Sequence, residues 1–172
     1  MVTLGRLDDT PIGTIWAAAS DSTLLAVSLW DDPTRLAADA GRLSGATPDM
    51  SAPAGSLVVA ALAQLAEFLR GERQVFELPL PWPMLTPFAR TVLERVYGVP
   101  YGQTSSYGAI AAELGRPGAV RAVGQANANN PIPIIIPCHR ILGTDGKLHG
   151  YGARGGLETK AWLLRLEGSW LL

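Results

Sequence analysis

Cys138, His139 and Arg140 stand side by side at the end of the segment NNPIPIIIPCHR, residues 129–140, and Cys138 is the one cysteine of the 172-residue chain. A thiol with a pKa near ~8.5 is only about 3% thiolate at pH 7, and thiolate is the reactive form. A neighbouring imidazole raises that fraction by taking the proton, provided the backbone turns both side chains toward a common point. In straight β-structure they would face opposite ways. Pro137 makes such a turn available. Glu167, at the end of the last predicted helix, is a candidate to hold the imidazole in its working tautomer. These residues alone leave a hydrolase, a redox thiol, an alkyl acceptor and an inert core thiol all open, and most free cysteines are core residues. One cysteine and two histidines make no internal disulfide and a poor zinc site.

The elements that must position these groups can be read around them. Thr86-Pro87 is a helix start, and Phe88, Val92, Leu93 and Val96 bury one face of a helix that ends at Gly98. Ser105 or Ser106 can cap a short helix over about 107–114. Gly115 and Pro117 break it, and a second helix follows over about 119–128, a helix-turn-helix pattern. This second helix carries Gly118, Ala119, Ala122, Gly124, Ala126 and Ala128, with Arg121 as its one long cation. Small side chains allow close approach to another surface, while Arg121 is built to reach outward. Ile134-Ile135-Ile136 reads as a short buried strand. The glycine-rich stretch 143–156 suits a loop shaped around a flat or bulky group. The last helix, about 157–166, is expected to bury Leu157, Trp162, Leu163 and Leu166.

The first half is plainer. Residues 10–32 read as two strands around the turn Ser20–Thr23, followed by a loop to about Pro53. A helix then starts at a Ser56 cap, with Leu57, Ala60, Ala61, Leu65, Phe68 and Leu69 on one face and Gly71 as its stop. The proline-dense ELPLPWPML, residues 77–85, cannot be regular helix and reads as a linker. The expected domains are 1–80 and 81–172.

Net charge is −1, which alone argues against a nucleic-acid binder. Its distribution argues otherwise. Residues 1–87 hold five Lys/Arg against ten Asp/Glu, and residues 88–172 hold nine against five. An acidic half joined to a basic half suggests that the second meets a polyanion. No apolar run approaches the ~18 residues of a membrane span, and the N-terminus has no signal-peptide pattern. The cytoplasm is the expected compartment.

The segment NPIPIIIPCHR, with GQTSSYGAIAAELG and RAVGQAN upstream and GGLETKAWLLRLEG downstream, closely resembles the O6-alkylguanine-DNA alkyltransferases, or methylated-DNA–protein-cysteine methyltransferases. The match covers about residues 86–168. It implies an α/β (α+β) protein, with a small RNase-H-like αβ domain before a mostly helical, winged-helix-like domain carrying the helix-turn-helix. It implies that Cys138 takes an alkyl group irreversibly from O6 of guanine in double-stranded DNA, once per molecule, as a monomer, without cofactor, metal or obligate protein partner. By the family pattern His139 activates the thiol through a water and Glu167 orients His139. Asn130 ties the helix-turn-helix to the active segment. Tyr107 presses on the target phosphate and donates to the leaving base. Arg121 fills the gap left by the flipped base, with Ala122, Gly124 and Arg140 also on the DNA side. The carbonyls of Cys138 and Ile141 accept from the guanine amino group, Tyr151 walls the pocket, and an amide just after it, at Gly152, meets the departing O6. The loop from Tyr151 to Gly155-Gly156-Leu157 is two residues longer than the family commonly has.

Overall fold

The computed structural model describes residues 1–170. The chain divides between Leu85 and Thr86 into two compact units.

The first unit is a three-stranded antiparallel sheet, β1 (Thr3–Thr10), β2 (Gly13–Ala19) and β3 (Leu24–Ser28), in that spatial order. The sequence reading places two strands here; the additional one, β1, alternates buried and exposed residues only weakly. Its register against β2 slips between Leu7 and Thr10, where Asp9 takes φ 58°, and that bulge blurs the period-two signal. Two helices pack on the sheet, α1 (Thr34–Ser44) and α2 (Ser56–Leu69). The segment 34–44 was expected as loop because it is rich in Ala, Gly and Asp. Alanine is nonetheless the best helix former, Leu36 and Ala40 lie one turn apart and are buried, and Gly45 closes α1 in the left-handed conformation. α2 starts one residue late for the expected cap, since Gly55 and not Ser56 is the flanking residue. Ala60 faces solvent, and Val58 takes the buried place. A Cβ on Gly5 would stand 2.8 Å from the Val58 side chain, so this glycine lets α2 lie close against β1.

The second unit is built from α3 (Pro87–Tyr97), α4 (Tyr107–Glu113), α5 (Val120–Ala128) and α6 (Leu157–Leu166), with a two-stranded parallel sheet of β4 (Ser105–Ser106) and β5 (Ile141–Leu142). α3 packs on α4 and α5, burying Val92, Leu93 and Val96. Ser106 caps α4 by accepting from the Ala109 amide at 3.0 Å, a contribution of about 1 kcal/mol. The short parallel ladder matters most for function. It pairs Ser105 with Ile141 and Ser106 with Leu142, so the residue that opens α4, Tyr107, is tied to the strand that directly follows Cys138–Arg140.

The isoleucine run is a turn and not the expected strand. Ile136 N–H donates to Ile132 O at 2.9 Å, and Ile134 sits at φ 72°. That region is unfavourable for a β-branched residue, by ~1–3 kcal/mol. Burial of Ile132 and Ile134–Ile136, none more than 3% exposed, holds it there. Apolar content alone does not separate a buried strand from a buried turn.

Among the described residues no helix is long and apolar enough to cross a membrane.

Candidate functional site

Cys138, His139 and Arg140 form one 3-10 turn after Pro137, and all three are buried. Three residues per turn set successive side chains about 120° apart rather than on opposite faces, which removes the objection that neighbours in sequence cannot share a site. His139 Nε2 lies 2.7 Å from Glu167 Oε1, with both side chains fully buried. Glu167 is the residue that ends α6. Facing a carboxylate, Nε2 carries the proton and donates it, which leaves Nδ1 as the basic nitrogen; Nδ1 has no hydrogen-bond partner in the protein. The imidazole is therefore held with its lone pair uncommitted, the state a general base needs.

Glu167 is held in turn. Arg140 donates to it from Nε at 2.9 Å and from Nη2 at 2.9 Å, and the Gly102 amide donates at 3.3 Å. Burial opposes the carboxylate charge, but the hydrogen bonds from His139 and Arg140 outweigh it, and the pKa of Glu167 stays below its usual range. Arg140 also donates to Val99 O at 2.7 Å and lies over the Tyr101 ring. Its expected place on the DNA side is thus corrected. It is 6% exposed, because the one buried carboxylate here requires a counter-charge.

The thiol is not ionised at rest. Burial pushes the Cys138 pKa up, opposed in turn by the Asn130 amide, the Lys160 ammonium and the backbone N–H groups of Cys138 and His139. Burial also pushes the His139 pKa down, against the pull of Glu167. Neutral thiol and neutral imidazole form the resting pair, and the surrounding donors wait for the charge that appears when the proton leaves. Asn130 joins two parts of the unit as expected: its Nδ2 donates to Ile136 O at 2.8 Å and its Oδ1 accepts from Ile132 N–H at 3.0 Å. Tyr107 opens α4, and burial, then the Cys138 sulfur, raise its hydroxyl pKa against a smaller pull from Asn127. Tyr151 points its hydroxyl into the same space. That hydroxyl is buried with no hydrogen-bond partner, and burial, followed by Cys138, pushes its pKa well above 10.

The turn after Tyr151 bonds Ala153 N–H to Tyr151 O and Gly156 N–H to Ala153 O, with Ala153 buried and Gly152 exposed. The two extra residues fold into this turn, so the Ala153 amide is already occupied. On α5, Arg121, Ala122 and Gln125 face solvent and Gly124 is half-buried, while Val123, Ala126 and Asn127 face inward. Of the nine cations in the second half, Arg140 and Lys160 are buried and the other seven are exposed.

Sequence reasoning missed Lys160. The apolar pattern of α6 favours Leu157 as an inward residue, yet Leu157 is 44% exposed and Lys160 is fully buried. Its Nζ donates to Ile141 O at 2.7 Å and to His149 O at 3.0 Å, and lies over the Tyr107 ring. It thus binds the strand after the cysteine turn to the glycine-rich loop. The place of Lys160 one turn after Gly156 on α6 was the available signal, but a lysine is almost never read as core. Asn127, buried beside Cys138, was also missed.

Burial drives the Lys160 pKa from 10.5 to about 8, with Cys138 opposing. The folded value lies below the unfolded one, so the unfolded chain binds more protons between these values and this group makes stability rise with pH there; its full penalty applies below the window. The shift corresponds to about 3 kcal/mol. Measured by urea unfolding, the stability of the native chain relative to Lys160→Met should improve by up to ~3 kcal/mol between pH 7.5 and 10. A difference that stays flat would show that the amine titrates normally.

Comparison with known proteins gives one answer along both halves. Residues 87–169 match the 6-O-methylguanine DNA methyltransferase DNA binding domain, and residues 5–82 match the ribonuclease-like domain of the same proteins. A methylated-DNA–protein-cysteine methyltransferase of Mycolicibacterium paratuberculosis is 41% identical, over 94% of this chain and 90% of its own. Among solved structures, a Mycobacterium tuberculosis OGT in complex with DNA aligns with TM-score 0.76 at 38% identity, covering 97% of this chain and 93% of that one. An O6-methylguanine-DNA methyltransferase of Pyrococcus kodakaraensis aligns with TM-score 0.65 at 26% identity, covering 98% of this chain and 99% of that one.

Proposed function

The chain belongs to the 6-O-methylguanine DNA methyltransferase family, and from that premise we propose that Cys138 removes the alkyl group from O6 of an alkylated guanine in double-stranded DNA and keeps it as a thioether. The S–C bond forms as the C–O6 bond breaks, and the electron pair of that bond passes to the guanine, which takes up a proton. Nothing restores the thiol, so each molecule acts once. The protein works as a monomer in the cytoplasm, without a cofactor, and the second unit carries both DNA contact and chemistry.

The observation that carries this reading is the buried relay behind the sulfur: Glu167 at 2.7 Å from His139 Nε2 leaves Nδ1 as an unpartnered base. The thiol is neutral at rest, so its proton goes to His139 as the sulfur attacks, and Glu167 stabilises the imidazolium that results. The amides and Lys160 around the sulfur then stabilise thiolate character in the transition state. Tyr107 supplies a proton to the leaving base and presses the target phosphate. The Gly152 amide, in the exposed turn after Tyr151, meets the departing O6, and the Tyr151 ring walls the base. The carbonyl of Cys138 accepts from the guanine amino group, having a second lone pair beside the one that Asn127 engages. Ile141 O, already bound by Lys160 Nζ, lines the same wall.

An alkyl carbon inside a stacked duplex is out of line for a protein sulfur, so the nucleotide must be everted, at a cost of a few kcal/mol. The small residues of α5, Ala122 and Gly124, allow the helix to lie close in a minor groove, where sequence is read poorly. Damage and not sequence then selects the target.

Incubation with duplex DNA containing O6-methylguanine, followed by intact-protein mass spectrometry, tests this directly. The native chain should gain one methyl group per molecule, and Cys138→Ala should gain none. Tight binding without mass gain would instead make the protein a damage-binding module.

A further inference from the structure

Asn127 ends the inner face of α5 and is 5% exposed. Its Nδ2 donates to the carbonyl oxygen of Cys138 at 3.4 Å, while its Oδ1 is buried with no donor among the described residues. The amide cannot be turned round to relieve this, because Oδ1 would then face the Cys138 carbonyl oxygen and the two acceptors would repel. A buried acceptor left open is unfavourable, and such groups persist where a ligand completes them. The only other protein hydroxyl coupled to this amide, that of Tyr107, makes no hydrogen bond to Oδ1.

What stands near Oδ1 identifies the donor. Cys138 O belongs to the same residue as the attacking sulfur, and Nδ2 of Asn127 is bonded to it. A purine whose O6 substituent faces the sulfur turns the edge bearing its 2-substituent along this same wall. In guanine that substituent is an amino group with two hydrogens, one for each of two acceptors. Ile141 O is the weaker claimant to the second hydrogen, since a lysine ammonium already holds it at 2.7 Å.

We propose that Asn127 Oδ1 and Cys138 O together receive the exocyclic amino group of the everted guanine, making Asn127 a specificity-determining residue for purines that carry a 2-amino group. The proposal rests on the alkyltransferase reading above and adds a residue to the recognition of its substrate.

The test compares single-turnover transfer from two otherwise identical duplexes, one with O6-methylguanine and one with O6-methylhypoxanthine, which lacks only the 2-amino group. The native protein should favour guanine by about tenfold, and Asn127→Leu should bring that ratio close to one. A native ratio near one overturns the proposal without need of any variant. A leucine variant that slows both substrates equally, keeping the native ratio, also overturns it, by showing that Asn127 serves the fold alone. If the native chain takes a methyl from neither duplex, the alkyltransferase reading itself fails and this proposal with it.

Discussion

Glu167→Gln is expected to slow methyl transfer to Cys138 by about 10²–10³, the range that a positioned general base contributes, and to destabilise the fold at the same time. The two effects have separate causes. Glutamine still accepts from His139 Nε2, so the tautomer survives, but the charge that favours the imidazolium is gone. The proton then has no stabilised place to go when the sulfur attacks. Arg140, 6% exposed, also loses its counter-ion. Removing one member of a buried pair costs about 3–5 kcal/mol, because the other charge stays desolvated. Urea unfolding reads the second effect, and the rate of Cys138 alkylation by a small soluble alkylator reads the first without DNA. A variant that is destabilised yet alkylated at the native rate would take Glu167 out of the mechanism and leave it a structural anchor. The pH dependence has a definite sign. His139 and Arg140 hold the Glu167 pKa below its usual range, so its stabilising contribution is present above the unfolded carboxylate value and is lost as pH falls through the folded one. The stability gap between native and glutamine forms should therefore close on acidification.

Those groups show what a linear reading can and cannot reach. Cys138, His139 and Glu167 were legible because thiol and imidazole are rare in this chain and adjacent, and because α6 ends at the expected residue, Leu166. α3, α4 and α5 were legible from caps, glycine stops and apolar spacing, since each is bounded by strong punctuation. Arg140 was not. Its type suits both a phosphate contact and a buried carboxylate clamp, and only the fold shows Val99 O, Tyr101 and Glu167 converging on it. Lys160 was hidden for a related reason: its partners are backbone carbonyls 11 and 19 residues away, which no side-chain pattern announces. The turn at Ile134 was concealed by its own composition, because three isoleucines in a row state burial and not geometry. β1 and α1 were lost to a bulge and to a sequence that mixes helix-forming alanine with loop-like Gly and Asp. The misses thus fall where backbone groups or tertiary partners decide.

The buried cations also change the electrostatic argument. With Arg140 and Lys160 inside, the second unit meets DNA with seven exposed Lys and Arg side chains against four exposed carboxylates, those of Glu94, Glu113, Asp145 and Glu158. That modest excess favours weak, salt-sensitive attachment, so affinity for undamaged duplex cannot be what everts the base. The work must come from a local device on the helix that enters the groove.

Arg121 is the side chain placed for that work, and Arg121→Ala is expected to slow transfer from duplex O6-methylguanine by about a hundredfold while affecting reaction with free O6-benzylguanine far less. It is exposed in the first turn of α5, beside Ala122 and on the face that carries Gln125. Of the long side chains on that face it alone is a cation. Eversion opens a gap in the stack, and closing that gap with a planar guanidinium returns part of the few kcal/mol that eversion requires. Losing about 2.7 kcal/mol of that return is a hundredfold in rate. A free base has no stack to leave, so the chemistry at Cys138 proceeds on it without this contribution. Arg121→Lys discriminates further, since lysine keeps the charge but lacks the flat guanidinium. If stacking is the mechanism, lysine should resemble alanine on duplex; if charge alone matters, it should resemble the native chain. Equal slowing on duplex and on free base would place the role of Arg121 in the fold of α5, and the eversion device would have to be sought elsewhere.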